Sequence, residues 1–260
     1  MTVRQGFTVE HGAEPEAAFA FAAERGFDFL ELNMDWTFER SRVDPDPVRE
    51  LAERHGLDLR VHLPYHLEVA SPHEHVREGA CRELEASVDT AVELGADLGV
   101  FHASTFARLD KWDHEWLGEV LYESVERVVT YARDRGFEAV VENLNTPFFT
   151  AGDFPELFDR TDASACLDTG HAHATGCSLA EQADLLREFG DRVPHVHLND
   201  TRIDADDEHL PVGVGKLDFA ALADAMVETG WSGTCTHEVY TFDHEPRAFG
   251  KRNFDRLLAR

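Results

Sequence analysis

The feature that most constrains this chain is a repeat of pattern rather than of residues. Short apolar, β-branched runs alternate with helix-period segments from one end to the other. The runs are Arg4–Thr8, Phe27–Leu32, Leu57–Leu63, Asp97–Ala103, Glu138–Asn143, Ser164–Asp168, Val193–Leu198 and Gly233–Val239. Segments rich in Ala, Leu, Glu and Arg separate them: Glu14–Arg25, Pro45–His55, Glu74–Leu94, Asp113–Arg135, Leu179–Phe189, Asp218–Thr229 and His244–Leu258, with a shorter helix candidate at Asp153–Asp159. Five of the segments close on a glycine (Gly26, Gly56, Gly95, Gly136, Gly230), as expected where a helix turns back into a strand. Strict βα alternation points to a parallel sheet. Eight such units in 260 residues match the roughly 250 residues of a closed barrel. The predicted fold is therefore α/β, a single (β/α)8 TIM barrel spanning residues 1–260. A doubly wound open sheet is the alternative, but no Gly-rich phosphate turn follows the first strand, as it often does there.

Composition narrows the setting. Asp and Glu number 51 against 24 Lys and Arg, a formal charge of −27, and only Lys111, Lys216 and Lys251 are lysines. The acids are spread along the chain, so they read as a solvated surface. Such a surface repels itself at moderate salt, but at about 1 M salt the Debye length falls to ~3 Å and the repulsion is screened. A salt-adapted, halophilic protein is the expectation. An acidic surface disfavours nucleic acid as a partner, and salt adaptation weakens that argument. No apolar run approaches the about 18 residues of a membrane span, and the first residues lack a secretory h-region. The four cysteines form no CxxC pair, and Cys166 and Cys235 sit in strand-like runs where buried thiols are expected. A reducing cytoplasm follows. A homo-oligomer is compatible with all of this.

The strand ends carry the chemistry. Glu31 in FLELN, His62 in VHLPY, His102 in VFHAST, Glu142 in VVENLN, Asp168 in CLDTGH, His197 in HVHLND and Glu238 in THEVY put a carboxylate or imidazole at the end of seven successive strands. A lone strand-end histidine is usually just a hydrogen-bonding residue; seven such groups at the catalytic face of one barrel are not seven accidents. Converging carboxylates resist ionisation unless a cation compensates them. Mixed imidazole and carboxylate donors suit zinc, manganese or iron. His171, in the loop leaving the sixth strand, can face the same mouth. Asp207 and His209 share an Asp-x-His spacing that points both the same way in extended chain; a solvated acidic loop is an equal reading for Asp207. His195 reads as a barrel-interior residue. Tyr65 and Trp36 are candidate walls of a substrate pocket, with simple packing as the alternative, and Phe38, Trp112 and Trp116 are weaker ones.

These segments, VVENLN, CLDTGHAHATG, VHLNDTR…DEHLPVGVG and THEVY, resemble the xylose-isomerase-like TIM-barrel superfamily. That superfamily contains sugar and sugar-phosphate isomerases and epimerases, and the type IV apurinic endonucleases. In the isomerase branch the resemblance implies one divalent metal held by Glu142, Asp168, His197 and Glu238. In the endonuclease branch it implies three zinc ions on His62, His102, Glu142, Asp168, His171, His197, Asp207, His209 and Glu238, and each position is filled. One to three ions are thus implied. The front of the chain departs from the endonuclease pattern: LELNMDWTFERSR stands where a Gln/Arg/Lys-rich DNA loop is expected, and Glu31 is isomerase-like. The leading expectation is a metal-dependent isomerase or epimerase of a small sugar-like substrate. Glu142 and Glu238 would act as acid and base, His171 would orient a substrate oxygen, and Glu31, Tyr65 and Trp36 would bind substrate. The alternative is a zinc-dependent phosphodiesterase acting on abasic DNA.

Overall fold

The computed structural model describes residues 3–9, 12, 14–241 and 243–260; His11, to which the sequence assigns no role, lies outside the described residues. Eight parallel strands close into one barrel in chain order: β1 (Arg4–Val9), β2 (Phe29–Asn33), β3 (Asp58–His62), β4 (Leu98–His102), β5 (Glu138–Glu142), β6 (Ser164–Asp168), β7 (His195–Leu198) and β8 (Thr234–His237). The seam is the β1–β8 pair, with Gln5 beside Cys235. Each predicted run forms its strand, because a buried parallel strand needs apolar side chains on its helix-facing side and finds them in these segments alone.

The helices are α1 (Pro15–Glu24), α2 (Pro45–His55), α3 (Glu74–Leu94), α4 (His114–Arg133), α5 (Phe154–Arg160), α6 (Thr169–Ala174), α7 (Leu179–Phe189), α8 (Phe219–Thr229) and α9 (Glu245–Leu258). Local chemistry sets their ends. At α7, Ser178 and Glu181 form a reciprocal capping box, satisfying N–H groups that the first turn leaves unpaired. At α2, Asp44 caps the start and Gly56 ends it at φ 64°, a conformation that a Cβ disfavours.

One element departs from expectation. Residues 169–174, read above as loop, wind into α6 with no linker after β6. The Asp168 carboxylate accepts the His171 N–H at 2.6 Å and so caps the new helix directly. Six residues with a glycine among them carry no readable period.

The main core lies between barrel and helices, with Phe19, Leu84, Val88, Val125, Leu222 and Phe254 fully or almost fully buried. The barrel interior is divided. Leu98, Val100, Val140 and Cys166 form a separate apolar cluster on one side. Glu31, His195, Thr234 and Thr236, all buried, occupy the other. Cys81, Cys166 and Cys235 are buried, and all four cysteines are free thiols. Among the described residues no helix is long and apolar enough to cross a membrane.

Candidate active site

The strands deliver the first group of side chains by register alone. His62, His102, Glu142 and Asp168 are the last residues of β3 to β6, and His197 is the last but one of β7. Glu238 stands one residue beyond β8, where its N–H still donates to the Leu198 carbonyl at 3.2 Å. Pairing sets His102 beside Glu142 and Asp168 beside His197. The centre of the group is His197 Nδ1, which lies 2.9 Å from Glu142 Oε1, 3.3 Å from Glu238 Oε2 and 3.8 Å from Asp168 Oδ2. One donor atom from each of these four buried residues falls within 4.8 Å of the others. The second oxygen of Glu142 faces His62 Nε2 at 3.3 Å and His102 Nε2 at 2.9 Å. Glu142 therefore joins the centre to an imidazole pair on the β3–β4 side.

The opposite flank is built by loops. His171, on α6, has Nδ1 3.1 Å from the Asn143 carbonyl and Nε2 3.5 Å from Asp207 Oδ2. His209 Nδ1 lies 3.1 Å from Asp207 Oδ2, and its Nε2 lies 3.4 Å from Glu238 Oε2. Asp207 and His209 do converge, but not through extended chain. His209 takes a left-handed backbone, φ 49°, which turns its ring back over Asp207. The solvated reading fails for Asp207, whose side chain is 1% exposed, while its neighbour Asp204 is 92% exposed and pairs with Lys216. The Tyr240 ring stacks on His209 with centroids 3.8 Å apart.

The three candidate substrate residues separate. Glu31 lies deeper than the mouth, two residues before the end of β2, with no exposed surface. Its carboxylate faces His195 Nε2 at 2.9 Å and His197 Nε2 at 3.1 Å, and Thr236 Oγ1 donates to it at 2.7 Å. Tyr65 is at the mouth, its ring 5.9 Å from His62 and 5.6 Å from His102. Trp36 stands edge-on to Tyr65 and adopts φ 69°, a conformation unusual for a bulky residue and found at functional sites. Phe38 is buried, and Trp112 and Trp116 stack on each other near His73.

Sequence reasoning missed the residues that hold this set in place. Asn143 clamps the Asp168 backbone with both ends of its amide, at 2.8 and 3.0 Å. The Asn199 amide donates to Asp168 Oδ2 at 2.8 Å. Asp200 accepts backbone N–H groups from Thr201, Gly213, Gly215 and Leu217 at 2.8 to 3.0 Å, and so ties down the loop carrying Asp207 and His209. The available signal was the amides and acid just beyond the ends of β5 and β7, in ENLN and HLND.

Charge in the site is concentrated. Burial pushes the Asp168 carboxyl up to about 7; His171 opposes the shift and the carboxylates of Asp207, Glu238 and Glu142 add to it. Burial works the other way on the imidazoles, yet Glu142 raises His62 to about 9, and Glu238 and Asp207 raise His209 to about 11. His102 stays low because burial outweighs Glu142. Compensation of the carboxylates thus falls on protonated imidazoles, which is the task a divalent cation performs better. Glu238 Oε2, Asp207 Oδ2 and His209 Nε2 are buried without a hydrogen-bond partner. Orphaned buried donors and acceptors of this kind call for an explanation, and a mixed carboxylate and imidazole set fits zinc, manganese or iron.

The fold agrees with what the chain is similar to. The sequence profile of the xylose isomerase-like TIM barrel family matches residues 19–253. The chain belongs to that family. It is 25% identical to fructoselysine 3-epimerase of Escherichia coli O157:H7 over 97% of this chain and 96% of that one. It is 28% identical to a probable endonuclease 4 of Mycobacterium ulcerans over 81% and 83% of the two chains. The crystal structure of a D-tagatose 3-epimerase-like protein superposes with a TM-score of 0.87, covering 99% of this chain and 97% of that one at 23% identity. At that identity the superposition speaks for the fold alone.

Proposed function

We propose that this protein isomerises or epimerises a sugar or related polyol around a divalent cation held by Glu142, Asp168, His197 and Glu238. One observation carries the reading: Glu142 and Glu238, from β5 and beyond β8, bring carboxylate oxygens to the same nitrogen of His197. Two carboxylates facing one small volume can serve a substrate carbon from two sides. The likeness to an epimerase over nearly the whole of both chains supports it.

A cation in this set supplies Lewis acidity toward a carbonyl and its neighbouring hydroxyl, and a template for both. The protein's side chains do the rest. One of Glu142 and Glu238 removes the proton α to the carbonyl, and the other delivers a proton: to the opposite face of the same carbon in an epimerisation, or to the former carbonyl carbon, with a proton passing between the two oxygens, in an isomerisation. His171 donates through Nδ1 to the Asn143 carbonyl, and its Nε2, 3.5 Å from Asp207 Oδ2, is placed to hydrogen-bond a substrate oxygen. Tyr65 and Trp36 wall the β2–β3 side of the mouth.

A phosphodiesterase acting on abasic DNA is the second reading. It is favoured by the further groupings His62–His102–Glu142 and Asp168–His171–His209, each close enough to hold an ion of its own. Cations of the mouth loops speak against it, since Arg40 pairs with Glu83, Arg202 with Glu208 and Lys216 with Asp204. A nucleic-acid groove needs basic groups available to phosphate.

Metal content of the purified protein, measured with activity before and after chelation, tests the choice. One exchangeable divalent ion is expected, with ketose epimerisation lost on chelation and restored by adding the ion back. Three zinc ions per chain with cleavage of an abasic duplex would overturn the epimerase in favour of the second reading.

A further inference from the structure

Half of the barrel interior is apolar, and that half closes well with Leu98, Val100, Val140 and Cys166. The fold therefore does not need charge inside the barrel. The other half nonetheless buries the Glu31 carboxylate completely, and burying an ion is costly unless donors surround it. Three donors reach one of its oxygens. Thr236 Oγ1 lies 2.7 Å, His195 Nε2 2.9 Å and His197 Nε2 3.3 Å from Oε2, while Oε1 lies 3.1 Å from His197 Nε2 without a hydrogen bond of its own. Thr234 Oγ1 sits 2.5 Å from the far nitrogen of His195 and orients that ring in turn.

The placement decides what this arrangement does. Glu31 is directly beneath His197, and its carboxylate has no exposed surface through which to meet a substrate. An ionised carboxylate only accepts hydrogen bonds, so with a cation in place of a proton on Nδ1, His197 would keep its proton on Nε2, toward Glu31. Nδ1 is then the nitrogen presented to Glu142, Asp168 and Glu238. A carboxylate behind a ligating imidazole fixes its tautomer and ring orientation and makes it a better donor.

We propose that Glu31 is a positioning residue: it holds His197 with Nδ1 toward the mouth and thereby sets how tightly the site binds its cation. His195 and Thr236 hold Glu31 itself. The inference rests on the reading of Glu142, Asp168, His197 and Glu238 as a metal site, and it removes Glu31 from the substrate contacts.

The test is Co2+ affinity, measured by chelator competition on metal-free protein for the wild type, Glu31→Gln and Thr236→Val. Glu31→Gln should keep its fold by circular dichroism and its ion stoichiometry while binding Co2+ about 10–100-fold more weakly. Thr236→Val, which removes one of three donors, should lose about threefold to tenfold. In 15N-histidine spectra of the zinc-loaded wild type, His197 should be protonated at Nε2; in Glu31→Gln that signature should weaken or become mixed. Glu31→Gln affinity within about threefold of wild type would overturn the proposal. Should that variant not fold, unchanged affinity in Thr236→Val overturns it instead. Wild-type protein that binds no divalent ion defeats the metal reading, and this inference with it; binding that ignores Glu31 defeats this inference alone.

Discussion

His62 and His102 reach Glu142 from the ends of β3 and β4, whereas His209, held against Asp207, reaches Glu238 from a loop that carries the Asp200–Leu210 bridge. The two flanks approach a carboxylate of the centre to similar distances, His62 and His102 at 3.3 and 2.9 Å and His209 at 3.4 Å. They get there differently. A strand end inherits its position from the barrel, so its side chain needs nothing beyond the right parity along the strand. A loop must be fixed residue by residue. Here that falls to the Asp200 carboxylate, the left-handed turn at His209 and the close approach of Asp207 to Gly170. Geometry on the loop flank is thus the more easily lost.

Three substitutions probe that difference. The largest effect belongs to the residue that joins the loop flank to the centre. Glu238→Gln removes a carboxylate facing both His197 and His209, and turnover should fall by about 10²–10⁴-fold, the range of a positioned acid or base. Its melting temperature should hold. Near-normal turnover would remove Glu238 from the chemistry.

Asp200→Asn comes next. The amide cannot accept on its nitrogen side, so part of the four-donor clamp is lost. Hydrogen exchange should quicken at Gly213, Gly215 and Leu217 and stay unchanged at the ends of β3 and β4. A shift of about 1 Å at His209 can lower kcat/KM by up to about 10²-fold. Equal loosening of both flanks would contradict the distinction drawn here.

Gly170→Ala should be the mildest. Its Cβ would overlap Asn199 Oδ1 and crowd the Asp207 carboxylate. We expect a loss of about 1–3 kcal/mol in stability by thermal or denaturant unfolding, with activity falling less than in Asp200→Asn. A neutral result would mean that the loop flank yields easily.

The same distinction explains what could be read from the chain. All eight strands were legible because apolar runs and helix-period segments alternate without a break, and glycines mark the returns at Gly26, Gly56, Gly95, Gly136 and Gly230, each with φ between 64° and 86°. The strand-end residues followed from parity. His171 was expected at the mouth and is there, but on a helix that starts without a loop. The depth of Glu31 was not legible, since barrel stagger depends on pairing across strands distant in sequence. Asn143, Asn199 and Asp200 were missed for a related reason. Asn143 and Asp200 act on backbone groups and Asn199 on a carboxylate from another strand, and no residue pattern announces which partner such a side chain will find.

Asp168 is the position where these strands of argument meet. One of its oxygens caps α6, the other takes the Asn199 amide, and the same carboxylate faces His197. A residue with a single task can be exchanged during divergence, and the rest of the protein adjusts around the change. One whose two oxygens serve helix initiation, loop anchoring and the mouth at once offers no such freedom. Changes of substrate in a barrel like this one are free to enter through the loops that carry Trp36, Tyr65 or His209, while position 168 holds still. For the same reason a null phenotype at Asp168 says little about chemistry, because architecture and reactivity fail there together.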